Sequence, residues 1–200
     1  MSAAVPLVPS EVPVTADQRV FLYGVTWKEY EVMLAVRGES AVPRMSYLKG
    51  TLELMSPSYT HETVKKLLAR LVEAYAEERE LDLNGFGSWT LRNPLVERGC
   101  EPDECYSLGV SKPDCPDLAI EVSWTSGGID KLEIYRGLGV QEVWIWKAGR
   151  IHVYLLRGES YETAERSALL PELDLELVTS FLDRENQTQA VREFRKALRR

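Results

Sequence analysis

The amino-acid sequence predicts a single domain of the α/β class. Residues 61 to 79 carry apolar side chains at helical intervals, which indicates a long helix with one buried face. Residues 117 to 122 (DLAIEV) alternate between two faces, as a strand does, and residues 129 to 138 again follow a helical pattern. Strands and helices therefore alternate along the middle of the chain, within a length that suits one domain.

The composition is that of a globular protein. The chain has 200 residues, of which 44% are hydrophobic and 28% charged, and this length is enough to bury a sizeable core. No apolar run approaches the roughly 20 residues that cross a bilayer, so we expect no membrane partner. Residues 1 to 11 lack the basic and apolar segments of a secretory signal, and a cytoplasmic location is expected.

The net charge of −7 bears on nucleic-acid binding. Proteins that hold long duplex DNA over their general surface are usually basic, because much of the affinity comes from neutralised phosphates. The charge therefore disfavours strong nonspecific DNA binding, although a local basic patch or a partner could still hold DNA. We interpret the basic C-terminal residues as a solvated helix end rather than a nucleic-acid arm: Arg192, Arg195, Lys196, Arg199 and Arg200.

The first quarter of the chain predicts an arm, a short helix and a hairpin. Residues 1 to 20 contain three prolines among small residues, which indicates an extended or loose arm. Residues 26 to 37 suit a helix capped by Thr26. Residues 44 to 55 suit a tight hairpin that turns at Lys49–Gly50.

The helix predicted over residues 61 to 79 begins after a Ser-Pro-Ser break, and Thr60 is its predicted cap. At about 100° per residue, His61 lies toward the buried face, whereas Glu62 and Glu73 point away from it. His61 then either fixes the preceding loop as a satisfied buried histidine or belongs to a functional site. The apolar stripe consists of Val64, Leu67, Leu68, Leu71, Val72 and Tyr75.

The rest of the chain predicts mainly strands and a terminal helix. The strands lie at residues 88 to 97, 141 to 147 and 151 to 157 and within 160 to 182, and the helix at 183 to 199. The two middle strands form a hairpin at Ala148–Gly149. The predicted organisation is an N-terminal arm (1 to 24), a core domain (25 to 182) and a C-terminal helix (183 to 200).

The strand DLAIEV carries two carboxylates on one face. Leu118, Ile120 and Val122 face one way, and Asp117 and Glu121 face the other. A carboxylate buried in a sheet is costly unless a metal ion or a basic group holds it. The alternative is that this face of the sheet is open to water, which would leave both acids solvated.

A lysine in the following helix favours the first alternative. On the helical wheel, Lys131 lies near the middle of the apolar side, so it is placed to meet the carboxylates, unless its long stem carries the charge out to solvent. Asp103 follows Pro102 ahead of another predicted strand. A Pro-Asp pair, a strand carrying Glu121 and an inward lysine together resemble the arrangement of PD-(D/E)xK nucleases.

The chemistry of such a site explains these residue types. Carboxylate oxygens suit Mg²⁺, which keeps several waters and contacts substrate phosphate. The metal lowers the pKa of a bound water and neutralises charge on the phosphate. A nearby lysine orients that water or stabilises the developing negative charge.

The chain resembles the Uma-two family of restriction-endonuclease-like proteins, which is especially abundant in cyanobacteria. The resemblance covers residues 25 to 182 and is carried by YLKGTLELMSPSYTHE, EPDECYSL, PDLAIEV and DKLEIYRGLGVQEVWIW, which are specific as a set. It implies a restriction-endonuclease-like fold, a mixed β-sheet core flanked by helices. It also implies that Asp103 and Glu121 bind the metal and that Lys131 is the basic residue.

One feature departs from the broader nuclease pattern. Most such enzymes carry the lysine two residues after the strand carboxylate, and here that position is Ser123. The resemblance implies that the lysine has moved to Lys131. Glu53, His61 and Asp117 are possible additional members of the site.

Two main functions are consistent with these residues. The leading hypothesis is hydrolysis of DNA phosphodiester bonds with Mg²⁺ or Mn²⁺, by a chain that acts as a homodimer. The alternative is a catalytically silent binding or assembly module that keeps the nuclease fold, which the acidic charge and Ser123 favour. Two further features are weaker signals. Trp124 is a candidate for the mouth of the site. A structural zinc site at Cys100, Cys105 and Cys115 is a weaker idea, because their spacing lacks paired CxxC motifs.

Overall fold

The protein is described by a computed structural model that covers residues 16–109, 113–123 and 128–199. Its helices are α1 Trp27–Arg37, α2 Tyr59–Glu78, α3 Lys131–Leu138, α4 Leu175–Ser180 and α5 Gln187–Leu198. The N-terminal strands are β1 Gln18–Tyr23, β2 Arg44–Leu48, β3 Thr51–Ser56, β4 Leu83–Gly85, β5 Leu91–Asn93 and β6 Arg98–Cys100. The remaining strands are β7 Glu104–Leu108, β8 Leu118–Ser123, β9 Glu142–Lys147, β10 Arg150–Arg157 and β11 Ser160–Ala164.

The strands form two sheets. A five-stranded antiparallel sheet has the order β1-β3-β2-β6-β5, and a six-stranded sheet has the order β11-β10-β9-β8-β7-β4. In the six-stranded sheet β8 and β9 run parallel, and the other pairs are antiparallel. The fold is therefore the predicted α/β architecture with a mixed sheet flanked by helices.

Helix α2 covers one face of the six-stranded sheet. The whole predicted stripe is buried and packs with residues of β8, including Leu118, Ile120 and Val122. The predicted cap was wrong by two positions: Ser58, not Thr60, accepts a hydrogen bond from the backbone N–H of His61, so the helix begins at Tyr59. A serine with extended backbone just before the first turn satisfies an N–H that the helix itself leaves free.

The first helix and both hairpins follow the sequence pattern. Thr26 and Glu29 form a reciprocal capping box on α1, which ends at Gly38. The hairpin β2–β3 turns at Lys49–Gly50, and β9–β10 turns at Ala148–Gly149, as predicted. The last residues of the predicted arm form edge strand β1, which pairs with β3.

The strand predicted over residues 88 to 97 is much shorter. Only Leu91–Asn93 forms a strand, because Pro94 has no N–H for a ladder and the Asn93 side chain accepts the N–H of Leu95 to make a turn. The chain then returns as β6, which pairs with β5. This hairpin joins the five-stranded sheet.

Both faces of β8 are covered. Ala119 packs in a second core cluster with Ile134 and Tyr135 of α3, on the side opposite α2. Trp144 and Trp146 of neighbouring β9 are buried, as expected for core residues, whereas Trp124 lies outside the described residues. Within the described ranges, no helix is long and apolar enough to cross a membrane.

Candidate active site

Glu121 lies in the middle of the domain. It is 7% exposed, because α3 covers the face of β8 from which it projects. Its Oε1 atom accepts a hydrogen bond from Lys131 Nζ at 3.1 Å and another from the Tyr135 hydroxyl. The carboxylate therefore has a cationic partner and is not solvated, which decides between the two alternatives that the sequence left open.

Lys131 points inward from the first turn of α3, as the helical wheel predicts. Its side chain is 18% exposed, so its charged end does not escape to solvent. Burial alone would lower the pKa of Lys131, but the negative charge and hydrogen bond of Glu121, together with neighbouring Cys100 and Glu53, outweigh burial and the pKa is raised. Lys131 therefore stays protonated and donates to Glu121 as a cation.

Tyr135 is a member of this cluster that the sequence reasoning missed. It follows Lys131 by four residues, so the two side chains share one face of α3 and meet the same carboxylate oxygen. Burial raises the pKa of Tyr135 well above its usual range, which keeps the phenol protonated as a donor. The four-residue spacing from Lys131 could have indicated it, although an aromatic side chain on the apolar side of a helix usually indicates core packing.

Asp103 lies beside the strand that carries Glu121. Its Oδ2 atom accepts the backbone N–H of Val122 at 2.6 Å, and its Oδ1 atom lies 2.8 Å from His61 Nε2. The guanidinium of Arg44 also contacts Oδ1. Asp103 is 1% exposed, so this buried carboxylate is held by one backbone donor and two basic side chains.

His61 connects Asp103 to the start of the described chain. Its Nδ1 atom lies 3.1 Å from Oδ2 of Asp17, and the other oxygen of Asp17 accepts the N–H of Ser58 at 2.9 Å. Burial alone would raise the pKa of Asp17, but the hydrogen bonds from His61 and Ser58 outweigh it and the pKa is lowered. The sequence analysis identified neither Asp17 nor Arg44 as a partner of this network. Asp17 lies in a segment that the sequence assigned to an arm.

A cleft of about 590 Å³ opens on the Glu121 face of the sheet. Glu53 lines it and is 3% exposed, and its Oε2 atom accepts the N–H of Ile129 at 3.0 Å. The charged and titratable side chains that line this cleft are Arg19, Glu53, Glu121, Asp130, Lys131, Lys147 and His152. Glu53 and Glu121 therefore share one opening.

Other acidic candidates lie elsewhere. The structure does not bring Asp117 to Glu121: its Oδ2 atom accepts the N–H of Leu108 at 3.0 Å, at the opposite end of β8. Glu62 points away from the core, as predicted, but its carboxylate pairs with Arg44 and so contacts the outer end of the Asp103 network. Glu73 is exposed on α2.

The carboxylates near the cleft can be related to the ligands that Mg²⁺ requires. Within the described residues, no three His, Cys, Asp or Glu side chains form a ready-made metal cluster. Mg²⁺ is commonly held by only one or two carboxylates, with water and substrate phosphate completing its coordination. This pattern fits Glu121 and Glu53, which line the cleft, and Asp103, which accepts the backbone N–H of Val122.

The three cysteines are free thiols. Burial raises the pKa of Cys100 and Cys105 to about 12 and that of Cys115 to about 11. They are therefore protonated and unreactive at neutral pH.

A mixed sheet flanked by helices, with a buried carboxylate and lysine at a cleft, defines a restriction-endonuclease-like domain. The chain belongs to the Uma2 family, described as "Putative restriction endonuclease", whose sequence model matches residues 27–184. The fold is similar to that of a protein from Anabaena variabilis ATCC 29413, a "putative nuclease belonging to DUF820". That likeness has a TM-score of 0.55 at 13% identity and covers 79% of this chain and 99% of the other. No curated protein matches the sequence significantly.

Proposed function

We propose that this chain is a metal-dependent endonuclease that hydrolyses DNA phosphodiester bonds. A nuclease function in general follows from its family. One juxtaposition carries the finer proposal: Glu121 and Lys131 meet at a cleft, and Asp103 is hydrogen-bonded to the residue that follows Glu121. Buried carboxylates beside a protonated lysine suit phosphoryl chemistry better than they suit a purely structural core.

Asp103 and Glu121 would hold Mg²⁺ or Mn²⁺, with Glu53 as the additional carboxylate from β3. A metal bound there would lower the pKa of a water molecule and neutralise charge on the substrate phosphate. Among the candidates, Glu53 and Glu121 line the cleft directly. Asp103 would contribute from the buried side of β8, where it accepts the backbone N–H of Val122.

The protein's own residues would position this donor set. Lys131 donates a hydrogen bond to one oxygen of Glu121 and fixes its position, and Tyr135 donates to the same oxygen. Arg44 and His61 fix Asp103 in the same way. Held carboxylates need little rearrangement on binding a cation, which is the usual advantage of a preorganised site.

A catalytically silent binding module is the second candidate, and one observation favours it. Oδ1 of Asp103 is in contact with both Arg44 and His61, so two side chains already occupy the carboxylate oxygen that a metal would need. A site that had lost its metal would keep such internal ion pairs as structural elements.

A cleavage assay separates the two candidates. Supercoiled and single-stranded DNA are incubated with Mg²⁺ or Mn²⁺ and with the wild type, Asp103→Asn, Glu121→Gln or a matched control, Glu185→Gln, which changes an exposed acid. We expect the first two variants to lose about 100-fold or more of the rate, since they remove charge at the proposed metal site, and the control to keep it.

Each outcome has a definite meaning. Cutting that survives both site substitutions would remove these residues from the mechanism. A wild type that cuts no nucleic acid and binds no Mg²⁺ or Mn²⁺ by calorimetry would favour the binding module. Thermal melting of each variant shows whether a loss of cutting reflects the site or the fold.

A further inference from the structure

Lys147, the last residue of β9, lies on the same sheet face as Glu121. Strands β8 and β9 are parallel, and their register pairs Glu121 with Ile145 and Ser123 with Lys147. Residues two apart on a strand project from the same face, and neighbouring strands lie about 5 Å apart. Lys147 therefore stands one strand across from Glu121 and about 7 Å further along, which is within the span of a lysine side chain.

Two lysines thus line one cleft, but their situations differ. Lys131 is mostly buried, and its Nζ atom is committed to Glu121 at 3.1 Å. Lys147 is exposed at the end of its strand and lines the same cleft. Among the residues that the structure describes, none forms an ion pair with it. Its ammonium group is therefore available to a ligand.

The charge of the cleft indicates what kind of ligand needs this lysine. The cleft holds two carboxyl side chains, Glu53 and Glu121, and Lys131 pairs with one of them. Arg19, which also lines the cleft, lies 3.6 Å from Asp17 and is partly compensated by it. An anion entering this cleft, in a chain whose net charge is −7, needs a free cation at the mouth.

We propose that Lys147 binds a backbone phosphate of the nucleic-acid substrate at the mouth of the cleft. A lysine ammonium on a flexible stem suits this task, because it acts as a point charge that can follow the phosphate without fixed bidentate geometry. Lys131 then holds the carboxylate and Lys147 holds the substrate. This assignment rests on the proposed nuclease function for the identity of the anion as a phosphodiester.

The test measures binding and cutting separately. A short fluorescent oligonucleotide, single-stranded or duplex, is titrated by anisotropy in EDTA with the wild type, Lys147→Gln, Lys147→Arg and the control Lys66→Gln. Lys66 is also exposed, but it lies on α2, so both glutamine variants remove one surface charge.

We expect Lys147→Gln to weaken binding about three- to ten-fold and to reduce the salt slope of the affinity by about one, since one phosphate contact is lost. Lys147→Arg keeps the positive charge and should bind nearly as tightly as the wild type. Lys66→Gln should change the affinity by less than about twofold. Cleavage by the same proteins is measured with Mg²⁺.

The outcomes distinguish this inference from the nuclease proposal. A wild type that cuts, with Lys147→Gln indistinguishable from Lys66→Gln in binding and cutting, would overturn the role of Lys147 and leave the nuclease intact. A wild type that does not cut, but whose DNA binding depends on Lys147, would support the phosphate site and overturn catalysis. A wild type that neither binds nor cuts would overturn both.

Discussion

Lys131 offers a direct test of the buried ion pair. Replacing it in Lys131→Met leaves Glu121 buried at 7% exposure without its cation. Breaking a buried pair from one side costs about 3–5 kcal/mol, so we expect a loss near the lower end of that range, because the Tyr135 hydrogen bond remains. Urea unfolding of wild type and variant measures this difference.

The double variant and a surface control show whether the pair is the cause. Lys131→Met combined with Glu121→Gln should be more stable than Lys131→Met alone, because the buried negative charge is then gone. Lys66→Met, on the exposed face of α2, should stay within about 0.5 kcal/mol of the wild type. If Lys131→Met behaves like Lys66→Met, the pair with Glu121 does not form.

Some site residues could be found from the sequence, and others could not. The inward orientations of Glu121, Lys131 and His61 follow from local periodicity, because a strand or helix fixes which face a residue occupies. The partners of His61 do not follow from it: Asp17 and Asp103 are 44 and 42 positions away along the chain. Only the assembled fold brings such residues together.

At the scale of elements, ion pairs join the basic C-terminal end of the chain to acidic residues at the end of α2. Glu78 accepts hydrogen bonds from Arg199 and Arg195, and these lower the pKa of Glu78 to about 2 from its usual 4.5. A carboxyl pKa that is lowered by folding stabilises the folded state at pH values above the usual pKa of the group. That contribution is lost as the pH falls from about 4.5 through about 2.

We therefore expect hydrogen-exchange protection of α5 amides to fall across this acidic range in the wild type. In Glu78→Gln the protection should already be reduced at neutral pH and should change less on acidification. Glu80→Gln, an exposed neighbour of Glu78, is the matched control and should follow the wild type. Identical pH profiles for Glu78→Gln and the wild type would contradict the role of this contact.

These ion pairs also refine the sequence interpretation of the C-terminal helix. The basic residues were expected to be a solvated helix end, and Arg199 is indeed largely exposed, with 70% of its side chain accessible. What the sequence could not supply is that the acids of α2 lie opposite them, because helix pairing is a long-range property. Short elements were similarly difficult, since β5 is limited to three residues by the turn that Pro94 and Asn93 make.

At the scale of the whole molecule, β1 and α1 each carry exposed apolar side chains, and Tyr23 and Val32 among them line one shallow area of the surface. Val36 is 83% exposed, Tyr23 77%, Val20 55% and Val32 54%. Among the described strands, β1 is also the edge of its sheet, so its outer hydrogen-bonding groups face away from β3. Exposed apolar surface beside an open strand edge is typical of association sites.

We expect the chain to be a homodimer that uses this area. Val36→Glu would place a charge on the apolar face of α1, and in a symmetric dimer the change occurs twice. Light scattering after size exclusion should therefore give the mass of a dimer for the wild type and of a monomer for Val36→Glu. Leu95→Glu, at a turn residue that is 92% exposed, is the control and should remain dimeric. A wild type that is monomeric at all concentrations, or a Val36→Glu variant that stays dimeric, would contradict this assignment. A monomeric variant that still cuts DNA would show that one copy of the site is sufficient for cutting.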